Sequence, residues 1–137
     1  RIGLAALDRL DAGDERRRLL AGHLLERLRA GGVDGLPVVL ADTLPTFWRL
    51  PLWTTDRPAL RRHLRAHGVD ATGTNLACLA REDAFGQWAA PTPHAARYVD
   101  EVIFLPMHPD LDEADIDRIA TAVIGLGPAP GGRGARQ

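Results

Sequence analysis

Apolar positions along this chain recur with two periods, and the switches between them divide it into elements. Over residues 1–30 leucines fall at helical spacing. Leu4, Leu7 and Leu10 form one row and Leu20, Leu24 and Leu28 another, with Arg16, Arg17, Glu26 and Arg27 largely on other faces. This predicts one long helix over 1–30, ended by Gly31-Gly32. Gly13 is its expected weak point, since glycine costs up to about 1 kcal/mol in a helix interior relative to alanine. The period then shortens. Val38-Val39-Leu40 predicts a short strand over 37–41, and residues 47–53 set Trp48, Leu50 and Leu52 against Phe47, Arg49 and Trp53 at period 2. Pro51 cannot donate to a ladder, so this second strand belongs at a sheet edge or a bulge. Helical spacing returns after Thr55-Asp56, a cap, and Pro58, which suits a first turn. Leu60 and Leu64, joined by Ala59 and His63, supply the apolar side, and His67-Gly68 ends the helix.

Beyond Gly68 the pattern is weaker until the closing unit. Residues 69–72 read as a strand, Gly73-Thr74-Asn75 as a turn and 76–79 as a short apolar stretch. Residues 81–97 are polar, carry Pro91 and Pro93, and predict a surface loop with a short helical turn. Val102-Ile103-Phe104-Leu105 then forms a strand that Pro106 must end, because proline fixes φ and donates no hydrogen bond. Asp112 caps a last helix, and Glu113 and Asp115 favour its positive end. Ile116, Ile119, Ala120, Val123 and Ile124 form its buried stripe, and Gly125, Gly127 and Pro128 stop it. Residues 127–137 read as a disordered tail. Helix, strand, strand, helix, strand, loop, strand, helix is the order of an α/β (α+β) two-layer sandwich. A small, mainly antiparallel sheet is covered by helices, with a long N-terminal connecting helix.

Composition narrows the partners. The 137 residues carry a formal net charge of −1, so bulk attraction to nucleic acid or an anionic membrane is not expected. No apolar run reaches the roughly 20 residues that span a bilayer, and no signal-peptide pattern opens the chain. The single cysteine, Cys78, excludes an internal disulfide and a cysteine-based zinc site, and a cytoplasmic setting is expected. All seventeen basic side chains are arginine; there is no lysine.

Several residue types invite chemistry. His63 and His67 are the one histidine pair at i, i+4, but the glutamate of a metalloprotease helix is missing beside the first of them, and no metal site is expected. Cys78 lies in the apolar run Leu76-Ala77-Cys78-Leu79 and reads as a buried, inert thiol rather than a nucleophile activated by His94. Gly131-Gly132-Arg133-Gly134 follows no strand and opens no helix, so it is not a phosphate loop. Trp48 and Trp53, five positions apart, face opposite sides of a regular strand, so at least one belongs to a packed seam. Trp88 in the polar loop is the better stacking candidate. Arg49 sits mid-strand, either solvated at an edge or binding a substrate carboxylate or phosphate bidentately. Thr74 and Asn75 either form a turn or hydrogen-bond a hydroxylated substrate or a phosphate.

The closing unit, with its Leu105-Pro106, Pro109, Asp112 and Asp115-Ile116, resembles the C-terminal end of sugar aminotransferases of the DegT/StrS type. These are a branch of the fold-type-I pyridoxal-phosphate (PLP) enzymes. Leu10-Asp11 with Arg16-Arg17 resembles their helix between the large and small domains. Gly68-Val69 and Thr72 resemble the start of their "GI-x-T-x-x-H-Y" stretch at the active-site mouth. The His-Tyr pair is absent, with Asn75-Leu76 nearest in position. The resemblance implies that residues 1–126 are the small C-terminal domain (1–30 its interdomain helix) of an enzyme that aminates a keto-sugar, commonly nucleotide-linked, or a related carbonyl compound. Arg49, Thr74 and Asn75 are the candidate substrate contacts on their own chemistry; the resemblance implies no catalytic residue in this chain and the PLP lysine in a large domain of the same chain, and the cofactor-binding residues stay unassigned. A homodimer is the implied assembly. A chain without lysine cannot itself hold PLP as a Schiff base. Together with a start at Arg1 inside an apparent helix, this leads us to expect a piece of a larger protein. Two other readings stay open: a family relative that has lost the lysine and acts as a dehydratase or regulator, and a non-catalytic α/β ligand-binding module.

Overall fold

Leu50 and Leu52 on one strand face Leu105 and Ile103 on another, and these two cross-strand pairs anchor the molecule. The computed structural model describes residues 3, 7–73 and 76–127. Strand β1 (Arg49–Trp53) runs antiparallel to β3 (Val102–Pro106), and the short β2 (Thr72–Gly73) pairs with the other side of β3, giving the order β1-β3-β2. Period 2 sends Leu50 and Leu52 into the core while Arg49, Pro51 and Trp53 stay partly exposed on the opposite face. β1 is an edge strand, the position that Pro51 demanded.

Three helices close the core face. α1 (Leu10–Ala30) buries Leu20, Ala21, Leu24, Leu25 and Leu28. α2 (Arg57–Ala66) adds Leu60 and Leu64. The last helix, Glu113–Gly125, packs along α1 through Ile116, Ile119, Ala120, Ala122 and Val123. Its start carries a capping box. The Asp112 carboxylate accepts from the Asp115 amide at 2.8 Å, and the Asp115 carboxylate accepts from the Asp112 amide at 3.2 Å. Asp56 caps α2 through the Ala59 amide at 2.9 Å. At the end of α1, Gly32 takes φ 70° and lets the Val33 amide reach the Leu28 carbonyl at 3.0 Å. Gly35 is a second required glycine. Its φ is 77°, and a Cβ there would lie 2.5 Å from the Trp53 carbonyl oxygen.

The expectation of a helix over 1–30 is corrected at its start. Asp8 and Arg9 form a turn and the described helix opens at Leu10. Gly13 does not dent it, since its amide keeps the bond to the Arg9 carbonyl at 3.0 Å. Leu7 and Leu10 of the first leucine row are exposed and not core, and Leu4 lies outside the described residues. The strand expected over 37–41 does not form. The backbone bond to β1 comes from just before that segment, Trp53 amide to Gly35 carbonyl at 2.9 Å, and its own side chains face out, with Val38 87% and Leu40 65% exposed. An apolar triplet without alternation carried no information about pairing. Gly73 belongs to β2 rather than to a turn, and the strand read over 69–72 keeps only Thr72, although Val69 and Ala71 are buried.

The loop over 81–97 is the largest departure. Leu79–Arg81 and Asp83–Trp88 are 3₁₀ turns, and Pro93–Glu101 is a helix, α3, which makes the closing helix α4. Pro93 occupies the first turn of α3, where a missing N–H costs nothing, so it starts a helix instead of breaking one. Of the tail read over 127–137, residues 128–137 lie outside the described residues.

Candidate functional site

The sheet face turned away from the core is half covered. At one end Tyr98 of α3 packs edge-on against Trp53 (5.7 Å between centroids, 78°) and Phe104 (6.4 Å, 67°). Arg57 supports this end by donating to the Val99 carbonyl, and its guanidinium lies where a Cβ on Gly73 would reach 3.4 Å. At the other end the face is open. Arg17, Trp48, Arg49, Asp70, Thr72 and the stretch from Phe104 to Pro109 enclose a cleft of about 370 Å³.

Arg49 dominates this cleft. Its position on β1 is opposite Pro106, and Thr72 on β2 is opposite Phe104, so the two lie on either side of the central strand. Two strand spacings, about 9–10 Å, separate their backbones. The long arginine side chain crosses that gap, donating from Nη1 to Thr72 Oγ1 at 2.9 Å. The guanidinium carbon also lies 4.5 Å from the centroid of the Trp48 ring. Trp48 can take this position because Phe47 adopts φ 45° and packs against the core. That left-handed residue breaks the alternation just before β1, so Trp48 is 71% exposed and not on the core face with Leu50. Arg17 holds the same bend from α1. Its Nε donates to the Thr46 carbonyl at 3.2 Å, and it is paired with Asp14.

Of the residues that the sequence suggested for substrate, Arg49 lines the cleft, and Thr74 and Asn75 lie outside the described residues. Sequence reasoning missed Trp48 and Thr72 as partners of Arg49. The adjacency of Trp48 and Arg49 was visible, but the β1-β3-β2 order that brings in Thr72 was not. Trp53 is the packed tryptophan, while Trp88, the earlier stacking candidate, is exposed on a 3₁₀ turn away from the cleft lining.

The other candidates are structural. Cys78 is buried with its Sγ 3.4 Å from Thr92 Oγ1. The His63 and His67 rings lie 4.3 Å apart, with His67 Nδ1 2.8 Å from the His63 carbonyl oxygen. Among the described residues no three His, Cys, Asp or Glu side chains gather as a metal site would require, and no helix is long and apolar enough to cross a membrane. A further charged contact lies outside the cleft. Arg81 donates to both Asp100 oxygens at 2.9 Å and holds that exposed carboxyl below its ordinary value, clipping the first 3₁₀ turn to α3.

Known proteins share this fold. The chain is 32% identical over 120 residues to dTDP-3-amino-3,4,6-trideoxy-alpha-D-glucose transaminase of Streptomyces venezuelae, a match covering 85% of this chain and 32% of that one. The crystal structure of S. venezuelae DesV in complex with a ketimine intermediate superposes with a TM-score of 0.77 at 30% identity. It covers 88% of this chain and 33% of DesV. The sugar aminotransferase CalS13 of Micromonospora echinospora gives 0.77 at 26% identity, covering 90% and 33%. The chain thus spans about a third of the length of these relatives. The profile of the DegT/DnrJ/EryC1/StrS aminotransferases matches residues 1–124, and this chain belongs to that family.

Proposed function

We propose that residues 1–126 form the small C-terminal domain of a PLP-dependent aminotransferase that aminates a nucleotide-linked keto-sugar or a related carbonyl compound. The observation that carries this reading is the 32% identity to a transaminase of a dTDP-linked aminosugar across 85% of the chain. The cleft supports it with a concave wall of aromatic, hydroxyl and cationic groups, the set that a sugar carrying an anionic group calls for. In this reading Arg49, Thr74 and Asn75 contact substrate, α1 joins the small domain to a large one, and the protein works in the cytoplasm as a homodimer.

Aminotransferases of this family generally use PLP. The residues of this chain do not fit its attachment, because none of the 137 is lysine and a guanidinium stays protonated where a free amine must attack an aldehyde. The lysine is therefore assigned to the large domain of the same protein, and no step through the cofactor is derived from the residues here.

Borohydride reduction of the full-length protein with PLP, followed by absorption spectroscopy and peptide mapping, tests the proposal. A reduced adduct on a lysine outside this chain is the expected result. A protein that forms no adduct would be a lysine-less relative or a binding module, and the transamination reading would fall.

A further inference from the structure

We propose that Arg49, held by Thr72 and Trp48, is the anion-recognition residue of the cleft and takes a phosphate or carboxylate group of the ligand. The proposal rests on the reading of this cleft as a substrate wall, and it assigns Thr72 and Trp48 as positioning residues. An exposed arginine ordinarily samples many rotamers, and side-chain entropy opposes fixing it. Here the guanidinium is fixed twice, by the 2.9 Å bond to Thr72 Oγ1 across β3 and by the Trp48 ring at 4.5 Å. Neither contact removes its charge. Thr72 is a neutral acceptor that engages one of the five N–H donors and leaves the rest of the fork available.

A contrast with the ion-paired arginines sharpens this. Arg17, Arg27, Arg81, Arg97 and Arg118 each pair with a carboxylate, on Asp14, Asp117, Asp100, Glu101 and Asp115 respectively. Among the described residues Arg49 has no such ion pair, like Arg16 and Arg57, which donate to backbone carbonyls; unlike those two it lines the cleft, with its guanidinium held by Thr72 and Trp48. A cation that is immobilised, unneutralised and set in a cleft is preorganised for an anion from outside. Thr72, having accepted from Arg49, keeps its own O–H to donate to the same anion. Asp70 adds an exposed carboxylate to the lining. The pair of signs favours a ligand with an anionic group at one end and hydroxyl or amino groups at the other. A nucleotide-linked sugar and an amino-acid donor both have that form.

Titration of the full-length protein with dTDP and, separately, with glutarate, read by calorimetry, tests the proposal. The wild type is expected to bind at least one. Arg49→Lys, which keeps the charge and loses the fork, and Thr72→Val, which keeps the shape and loses the hydroxyl, should each weaken that binding about tenfold. Thr72→Ser should restore it, with urea midpoints of all variants close to wild type. Loss confined to dTDP identifies the anion as the sugar-linked phosphate, and loss confined to glutarate identifies it as the carboxylate of the amino donor. Wild-type affinity in both Arg49→Lys and Thr72→Val, or a wild type that binds neither ligand, would overturn the proposal. Neither titration requires PLP, so a missing borohydride adduct would sink the transamination reading and leave this result standing.

Discussion

On one face of the sheet Leu50, Leu52, Ile103 and Leu105 are almost completely buried beneath α1, α2 and α4. On the other, Arg49, Thr72 and Phe104 stay partly exposed and meet through a hydrogen bond that crosses the central strand and through ring contacts at either end. The first face is held by non-directional burial, in which many side chains of suitable volume could share the work. The second depends on directional contacts between single atoms, and its geometry is lost if one partner goes. Stability therefore belongs mainly to the closed face, and under the proposed reading ligand discrimination belongs to the open one.

The strongest attack on this division removes volume from the closed face. Leu24 is fully buried against α4 and the sheet, and Leu24→Ala should cost roughly 2–5 kcal/mol in urea unfolding. A loss under about 1 kcal/mol would mean that the α1 face is not part of this core. Asp112→Ala removes the capping box that starts α4 and should cost about 1 kcal/mol by the same measurement. Thr72→Val on the open face should change stability by less than about 1 kcal/mol, because the bond it removes is partly solvated. If it destabilised as much as Leu24→Ala, the open face would be structural and the division would fail.

The smallest effect lies outside both faces. Asp100 is held below the ordinary carboxylate range by its hydrogen bonds to Arg81. A lowered folded-state value stabilises above the unfolded carboxyl pKa, and that contribution disappears as pH falls through the folded value. NMR titration should place the Asp100 midpoint higher in Arg81→Gln than in wild type, with the acid limb of stability nearly unmoved because the pair is exposed. An unmoved midpoint would show that the pair does not persist in solution.

What could be read from sequence follows the same division. Hydrophobic period located β1, α2 and α4, the apolar run ended by Pro106 located β3, and the caps at Asp56 and Asp112 fixed where the two helices begin. Burial leaves a repeating trace, and repeats can be counted. The open face leaves none. Its bond between Arg49 and Thr72 joins residues 23 positions apart through a strand another thirty positions on, and nothing local to either encodes the pairing. Phe47 hid Trp48 in a similar way, because a bulky residue at φ 45° is not what a sequence pattern leads one to expect, and it reversed the face of its neighbour. At Pro93 the ambiguity was chemical. Proline both stops and starts helices, and only the contact of Tyr98 with Trp53 and Phe104 shows which outcome prevails.

The two edges of the sheet carry one more consequence. Among the described residues β2 offers a passing strand Thr72 and Gly73, a short template for a ladder. β1 offers Pro51, which has no N–H, and Trp53, whose amide is already bonded to Gly35. Among the described residues the two edge strands thus present no long run of free backbone donors on which a second copy could grow a sheet. The proline that marked β1 as an edge also guards it against fibrous self-association.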